Sequence, residues 1–289
     1  MEVNLMGERN KVLLPALFKK AHEGKPITWL TCYDYPTAYF QEQAGIDMIL
    51  VGDSLGMTML GYDSTLPVTM DDMIRHTQAV RRGAPTAFLV GDMPYMSYQA
   101  STEDAVRNAG RFMAEASCDA IKLEGGVEIA SRVRGIVDAG IPAIGHLGLT
   151  PQSVSSLGGF KLQGKGALQA KKIIDDAKAL EKAGAFAILL ELVPDRVCKL
   201  ITERAENCLI MSLGSGPYAH GQLLIYHDMF GLYPKFKPKM AKVFGNAGEV
   251  ILNGLKTYAS EVVSGEFPGK ENYFGMKDNE YDDLLEMLD

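Results

Sequence analysis

The chain has few cysteines for its length, and none of them lies in a spacing typical of metal binding or redox chemistry. The 289 residues contain four, Cys32, Cys118, Cys198 and Cys208, with no Cys-x-x-Cys pair among them. A disulfide-stapled secreted fold and a cysteine zinc site are therefore not expected. The pattern favours reduced thiols that pack as small core side chains, in a cytoplasmic protein.

Positive charge and long apolar runs are also scarce. Lys and Arg number 29 against 36 Asp and Glu, so the formal net charge is −7. Nucleic acids and anionic membranes are bound by basic faces, so this balance disfavours both as partners. No stretch reaches the roughly 18 uninterrupted apolar residues of a membrane-spanning helix, and charged residues between Glu2 and Glu23 interrupt any signal-peptide core.

No segment rich in glycine, serine and proline divides the chain, and no change of composition marks a domain boundary. We therefore predict a single domain over residues 1–289. Two peripheral pieces are expected. One is an N-terminal helix at about 11–23 that packs at the base of the fold, and the other is an acidic tail at 270–289 that is a short helix or disordered.

Five short apolar runs each end on one ionisable residue. These residues are Asp53, Asp92, Glu124, His146 and Glu191. Short apolar runs bounded by glycine are typical of strands that are buried on both faces, as in a parallel sheet. Three further runs, 29–32, 208–213 and 222–226, bring the predicted number of strands to eight.

Helical patterns lie between the predicted strands, at 37–44, 70–82, 101–116, 128–139, 167–183 and 197–206. Eight strands in this chain give about 36 residues per unit, which is typical of a β/α repeat. The predicted fold is α/β, a (β/α)8 TIM barrel, in which the carboxyl ends of the strands surround one mouth. The glycine-rich segment 148–166 is predicted to be a mobile loop over that mouth.

Three of the ionisable residues suggest a metal site at this mouth. Asp53, Asp92 and Glu124 follow three consecutive strands, and sites made of carboxylates suit a hard cation such as Mg²⁺. Lys122 lies two residues before Glu124, on the same face of its strand, where its charge would offset the carboxylates. The alternative is that each carboxylate caps the helix that follows it.

Glu191 and His146 are candidates for proton chemistry. Glu191 follows six apolar residues, and burial there would raise its pKa and suit it to proton abstraction near neutral pH. A salt-bridge or capping residue is the other interpretation. His146 also has two interpretations, because a lone histidine without zinc spacing is as compatible with a structural hydrogen bond as with catalysis.

Several longer strings resemble the ketopantoate hydroxymethyltransferase family. They are Val-Gly-Asp-Ser-Leu-Gly-Met at 51–57, Asp-Ser-Thr-Leu-Pro-Val-Thr at 63–69, Val-Arg-Arg-Gly-Ala-Pro at 80–85, Lys-Leu-Glu-Gly-Gly at 122–126, Gly-His-Leu-Gly-Leu-Thr-Pro-Gln-Ser at 145–153 and Gly-Gly-Phe-Lys-Leu-Gln-Gly-Lys at 158–165. The likeness extends over about residues 27–269. It implies a (β/α)8 barrel that forms a homo-oligomer, often a decamer.

The resemblance also implies an activity. The family transfers a hydroxymethyl group from 5,10-methylenetetrahydrofolate to 3-methyl-2-oxobutanoate, forming 2-dehydropantoate on the route to pantothenate and coenzyme A. Its Mg²⁺ ligands match Asp53, Asp92 and Glu124, and its general base matches Glu191. The family's keto-acid contacts match Asp53, Ser54, Asp92 and Lys122, with His146 near the substrate.

One position departs from the family. His220 stands where the family usually has aspartate, in Ala-His-Gly-Gln at 219–222, and we expect it to alter charge or hydrogen bonding at the mouth. Two other interpretations compete with the transferase. A lyase of the phosphoenolpyruvate mutase and isocitrate lyase type is disfavoured because the chain lacks a Lys-Cys-Gly-His loop. A non-enzymatic subunit is disfavoured because every matched site residue is present.

Overall fold

Eight parallel strands close into a barrel in chain order. The computed structural model describes residues 9–154, 159 and 161–288. The strands are β1 Ile27–Thr31, β2 Met48–Val51, β3 Phe88–Asp92, β4 Ala120–Glu124, β5 Ala143–Gly148, β6 Ala187–Glu191, β7 Leu209–Leu213 and β8 Gly221–Leu224. Each pairs in parallel with its sequence neighbours, and β8 pairs with β1. The predicted eight strands and TIM-barrel fold are confirmed.

Helices surround the barrel. They are α1 Leu14–His22, α2 Tyr35–Gln43, α3 Leu55–Thr58, α4 Met70–Gly83, α5 Thr102–Ala116, α6 Ala130–Asp138, α7 Ala167–Lys182, α8 Asp195–Thr202, α9 Tyr226–Met229, α10 Ala247–Ser264 and α11 Asp278–Leu288. Side chains at the predicted boundaries cap several of them. The carboxylate of Asp34 accepts from Thr37 N at α2, and Ser101 accepts from Asp104 N at α5.

Alternation along the strands separates two cores. Side chains such as Trp29, Met48 and Phe88 point into the barrel, whereas Ile49, Leu89 and Ile121 point outward against the helices. Because successive residues of a strand face opposite sides, residues two apart share a face. Inward positions near the carboxyl ends of β3 to β6 carry polar side chains at the mouth, above the apolar side chains that fill the barrel.

Two glycines bring helices close to the strands that carry site residues. A Cβ at Gly91 would lie 2.3 Å from the ring of Phe112 on α5, and one at Gly145 would lie 2.6 Å from Leu180 on α7. Each glycine faces outward immediately before an inward-facing polar residue, Asp92 or His146. The absence of a side chain thus allows the helix to approach the strand at the height of the site.

The helix near the start of the chain lies at the base of the barrel. Leu17 of α1 is buried among the inward-facing side chains, beside Ile27 and Trp29. Lys20 of the same helix forms an ion pair with Asp47, with Nζ 2.6 Å from Oδ2. Together these contacts fix α1 across the end of the barrel that lies opposite the mouth.

The remaining segments lie around the mouth and the periphery. Within the predicted loop 148–166, Pro151–Ser153 forms a short 3₁₀ turn. Residues 155–158 and 160 of that loop lie outside the described residues, so its mobility stays a prediction. In the tail, α11 occupies 278–288, whereas residue 289 is not described. Within the described chain, no helix is both long and apolar enough to cross a membrane.

Candidate active site

The predicted ionisable residues converge at the mouth of the barrel. Six of them are buried: Asp53, Asp92, Lys122, Glu124, His146 and Glu191. Together with the partly exposed Ser54, they line one cavity of about 580 Å³. The volume lies within the range of small-molecule sites in enzymes. The alternation of inward and outward side chains explains the convergence, because Asp92, Glu124 and Glu191 are the final residues of β3, β4 and β6.

The capping alternative for the three carboxylates does not hold. Ser54 is the N-cap residue of α3, Ser101 caps α5, and Gly126 precedes the short turn after β4. Within the part of the chain that the structure describes, neither Asp92 nor Glu124 hydrogen-bonds to the start of the helix that follows its own strand. Their burial at the mouth therefore serves the cavity rather than the neighbouring helices.

Lys122 occupies the centre of the cluster. Its Nζ lies 2.7 Å from Asp92 Oδ1, 3.8 Å from Glu124 Oε1 and 3.4 Å from His146 Nδ1. Burial alone would lower the pKa of Lys122, but the charges of Asp92, Glu124 and Asp53 outweigh this effect and raise it. The side chain is therefore a permanent cation inside the barrel.

The carboxylates outnumber this cation, and their pKa values reflect the excess. Burial and the charge of Glu124 raise the pKa of Asp53 to about 6. Burial, opposed by Lys122 and reinforced by Asp53, raises that of Asp92 to about 6. Burial, opposed by Lys122, raises the pKa of Glu124 to about 7. An additional cation in the cavity would relieve this unfavourable concentration of negative charge.

Gln152 connects two of these carboxylates, although it was not among the predicted site residues. Its Nε2 donates to Asp53 Oδ2 and to the carbonyl of Met93, both at 2.9 Å, and its backbone N–H donates to Glu124 Oε2 at 3.0 Å. The hydroxyl of Tyr98 donates to Gln152 Oε1 at 2.8 Å. The only signal available beforehand was the presence of Gln152 in the family-like string at 145–153.

The two candidates for proton chemistry lie side by side. His146 Nε2 is 3.1 Å from Glu191 Oε2, and its Nδ1 is 3.3 Å from Glu124 Oε1. Burial raises the pKa of Glu191, and its contact with His146 opposes this rise. Burial and the charge of Lys122 lower the pKa of His146. Glu191 is not a helix cap, since α8 is preceded by Pro194 without a side-chain bond.

Ser54 lies at the edge of the same cavity. Its Oγ is 2.8 Å from the hydroxyl of the buried Tyr33, on the loop that follows β1. The backbone N–H of its neighbour Asp53 donates to Asp92 Oδ2 at 3.0 Å, which ties the ends of β2 and β3 together. The hydroxyl of Ser54 is thus held at the edge of the cavity by Tyr33, and the backbone of the preceding residue is held by Asp92.

The protein side chains supply only part of the ligand set that a hard divalent cation requires. Among the described residues, no group of three acidic, imidazole or thiol side chains is spaced to hold a metal ion unaided. Lys122 and Gln152 lie between the carboxylates and keep them apart. Such an arrangement suits Mg²⁺, which is commonly bound through one or two carboxylates with water and substrate oxygens completing its shell. The metal site stays a prediction.

The expectation for His220 is wrong. His220 lies immediately before β8, at the base of the barrel: its Nδ1 accepts from Ile210 N at 2.9 Å, and its carbonyl accepts from Ile27 N. The connection from β7 runs from the mouth to the base over residues 214–220, so a residue late in it is far from the carboxylates. Through its bond to Ile210 N, the imidazole instead links the ends of β7 and β8 that lie at the base of the barrel.

Known proteins match this chain over most of its length. The family model described as ketopantoate hydroxymethyltransferase matches residues 11–270. A Clostridium kluyveri protein named 3-methyl-2-oxobutanoate hydroxymethyltransferase is 53% identical over 91% of this chain and 94% of its own. A protein of the same name from Alkaliphilus metalliredigens is 51% identical over 95% of this chain and 96% of its own.

Solved structures with a similar fold are much more distant in sequence. A phosphonopyruvate hydrolase in complex with oxalate and Mg²⁺ matches with a TM-score of 0.59 at 12% identity, over 96% of this chain and 98% of its own. A 2,3-dimethylmalate lyase matches with a TM-score of 0.58 at 14% identity over the same shares. These two similarities concern the fold alone. On the sequence matches, the chain belongs to the ketopantoate hydroxymethyltransferase family.

Proposed function

We propose that this protein transfers a hydroxymethyl group from 5,10-methylenetetrahydrofolate to 3-methyl-2-oxobutanoate and uses Mg²⁺ to do so. The observation that carries the proposal is the pairing, in one buried cavity, of a carboxylate base with a cluster of carboxylates around Lys122. The product would be 2-dehydropantoate, an intermediate on the route to pantothenate. Family membership supports the acceptor substrate, and the geometry supports the proton chemistry.

Glu191 is the proposed general base. Transfer to the keto acid requires removal of its C3 proton, and the carboxylate of Glu191 faces the cavity with a pKa raised by burial. A base with a pKa nearer to neutrality abstracts such a proton more effectively while remaining ionised in the cell. His146 Nε2, at 3.1 Å, holds this carboxylate in one orientation.

Lys122, Ser54 and the acidic cluster position the keto acid. The ammonium of Lys122 can pair with the substrate carboxylate and offset the negative charge that develops on the enolate oxygen. Asp53 and Asp92, with Glu124, would hold Mg²⁺, which acts as a Lewis acid toward the keto-acid oxygens when bound. The hydroxyl of Ser54 is placed to donate to the same substrate.

The carbon–carbon bond then forms between C3 of the keto acid and the one-carbon unit of the folate. The two carbon–nitrogen bonds that hold this unit to N5 and N10 of the folate break, and water supplies the hydroxyl oxygen. The two hydrogens of water and the proton that Glu191 removed become the hydroxyl hydrogen and the two N–H hydrogens of tetrahydrofolate. The cavity walls, made of Leu50, Leu189 and Leu213 below the polar groups, exclude bulk water from the enolate.

Proton NMR of 3-methyl-2-oxobutanoate in D₂O tests the proposal. With enzyme, Mg²⁺ and 5,10-methylenetetrahydrofolate, we expect a new hydroxymethyl signal that EDTA abolishes. Loss of the C3 methine signal without this product would show that the enzyme enolises the keto acid but does not transfer the one-carbon unit, which would contradict the proposed transfer. If the folded enzyme changes neither signal, the proposed function is wrong and the non-enzymatic interpretation returns.

A further inference from the structure

The cavity at the mouth is larger than the keto acid requires, and its second wall has a different character. The carboxylates lie on the wall formed by β2 to β6, whereas the facing wall comes from the segment after β8. The residues of that segment in the wall are Ile225, Asp228, Phe236, Pro238, Lys239 and Met240. An adjoining cavity of about 220 Å³ shares Asp228 and Phe236 with the first. A long ligand could therefore lie across both.

Asp228 is a partly buried carboxylate without a partner in this wall. It lies on α9, directly after β8, and burial raises its pKa to about 6. Its charge also raises the pKa of the Tyr33 hydroxyl, and Asp228 lines the same cavity as Ser54. No hydrogen bond or ion pair to its side chain exists among the residues described. Such a group favours a ligand that offers hydrogen-bond donors.

Phe236 supplies an aromatic face next to this carboxylate. Its side chain is 61% exposed although it lines both cavities. An exposed aromatic ring beside an acidic group suits a flat heterocycle, which can stack on the ring while its edge bonds to the acid.

Lysines are concentrated in the same segment. Four occur within residues 235–242 of a chain whose net charge is −7. Lys235 forms an ion pair with Asp63 at 3.0 Å, and Lys242 lies 5.0 Å from the centre of the Phe244 ring. Lys237 and Lys239 line the two cavities, and no carboxylate of the described chain lies within ion-pairing distance of either. These two ammonium groups are available to an anionic ligand.

We propose that this wall, residues 225–240, binds the folate donor along its length. The carboxylate of Asp228 accepts two hydrogen bonds from the 2-amino group and the N3–H of the pterin, an edge whose parallel donors match a carboxylate. Phe236 stacks on the heterocycle, and Lys237 and Lys239 pair with the carboxylates of the glutamate tail. The assignment rests on the proposed function, since it takes the donor to be a tetrahydrofolate.

Equilibrium binding of tetrahydrofolate, measured by calorimetry without oxygen, tests the pterin contact directly. We expect Asp228→Asn to weaken binding of the monoglutamate form roughly 10- to 100-fold, because the amide cannot accept both hydrogen bonds. The same variant should exchange the C3 proton of the keto acid for deuterium within about two-fold of the unaltered protein, which shows that the carboxylate cluster is intact. Unchanged tetrahydrofolate affinity in Asp228→Asn would overturn the assignment.

The tail contact is tested with tetrahydrofolate carrying one or three glutamates. The double variant Lys237→Gln, Lys239→Gln should lose most of any preference for the triglutamate, and the preference should weaken with salt in the unaltered protein. Lys242→Gln is the matched control, with the same change of charge in the same segment but no place in either cavity. An equal loss in the control would reject the tail site.

Failure of the proposed function has a different signature. Protein that binds tetrahydrofolate through Asp228 but forms no hydroxymethyl product would retain this site and reject the transfer. Protein that forms product while Asp228→Asn keeps its affinity and its KM for the folate would retain the function and reject this site. Absence of tetrahydrofolate binding to the unaltered protein would reject the site as well.

Discussion

His146 Nε2 lies 3.1 Å from Glu191 Oε2, and this contact joins the ends of β5 and β6 inside the cavity. The other ring nitrogen, Nδ1, lies 3.4 Å from Lys122 Nζ, which can only donate. A neutral imidazole that accepts at Nδ1 carries its proton at Nε2, and burial together with Lys122 lowers the pKa of His146 accordingly. Glu124 Oε1, an acceptor, also lies 3.3 Å from Nδ1, so the imidazole connects Lys122 and Glu124 on one side with Glu191 on the other.

Replacement of the proposed base should separate binding from proton transfer. We expect Glu191→Gln to keep the affinity for 3-methyl-2-oxobutanoate and Mg²⁺, because the variant leaves Lys122 and the acidic cluster in place. Deuterium exchange at C3 should fall by roughly 10²- to 10⁴-fold, the usual contribution of a general base. NMR measures the exchange and calorimetry the affinity. An exchange rate equal to that of the unaltered protein would remove Glu191 from the role of base.

The pH dependence of the exchange reports the protonation of Glu191. Burial raises its pKa above the ordinary 4.5, so the reactive carboxylate is lost as the pH falls through a value higher than 4.5. The exchange rate should decline there. Since His146 opposes the rise in the pKa of Glu191, His146→Gln should move this inflection to higher pH. An inflection that does not move would mean that the contact does not tune the base.

Gln152 should act as a positioning residue for the acidic cluster. Gln152→Leu removes the amide that holds Asp53 Oδ2, and we expect the Mg²⁺ concentration for half-maximal exchange to rise roughly 10-fold, as for other residues that orient metal ligands. Gln78→Leu is the control, because Gln78 Nε2 donates to Glu115 O on the outer surface. Equal Mg²⁺ dependence in the two variants would contradict the role.

Stability without metal should decrease as the pH rises. The pKa values of Asp53, Asp92 and Glu124 in the folded protein are about 6, 6 and 7, above their ordinary values, so the folded state holds protons that the unfolded state has released. The stability contributed by these protons is present at low pH and is lost as the pH passes through about 6 to 7.

Thermal unfolding in EDTA and in Mg²⁺ measures this effect. Because the ligands must be deprotonated to bind metal, the increase in Tm caused by Mg²⁺ should be larger at about pH 8 than at about pH 5. Asp92→Asn should abolish most of that increase. The same increase at both pH values, or its persistence in Asp92→Asn, would argue against a metal at the acidic cluster.

The sequence predicted the strands and the residues at their ends, because both depend on local patterns. An apolar run closed by an acidic residue is a property of consecutive positions, and Asp92, Glu124 and Glu191 lie where that pattern places them. Contacts between distant positions were not predictable in this way. Gln152 and Asp53 are 99 residues apart, and no feature of either neighbourhood indicates that they meet.

The misplacement of His220 has a related cause. Its distance along the chain from β7 suggested the mouth, but the connection to β8 contains no helix and returns to the base within residues 214–220. The helix α10 was likewise absent from the prediction. Its side chains are all at least partly exposed, including Val250 and Leu255, so it contributes no buried residue to the barrel core on which the prediction was based.

Gly91 and Gly145 also limit which substitutions the site can accept during evolution. Each lies on the outer face of a strand, one residue before Asp92 or His146. The space beside each glycine is occupied by a side chain of the adjacent helix, Phe112 or Leu180. A larger residue at either glycine would have to be matched by a smaller one on the helix, or the strand end would move. The spacing of the site residues thus depends both on the barrel strands and on the helices outside them. The residues that determine it include packing pairs that never touch a substrate.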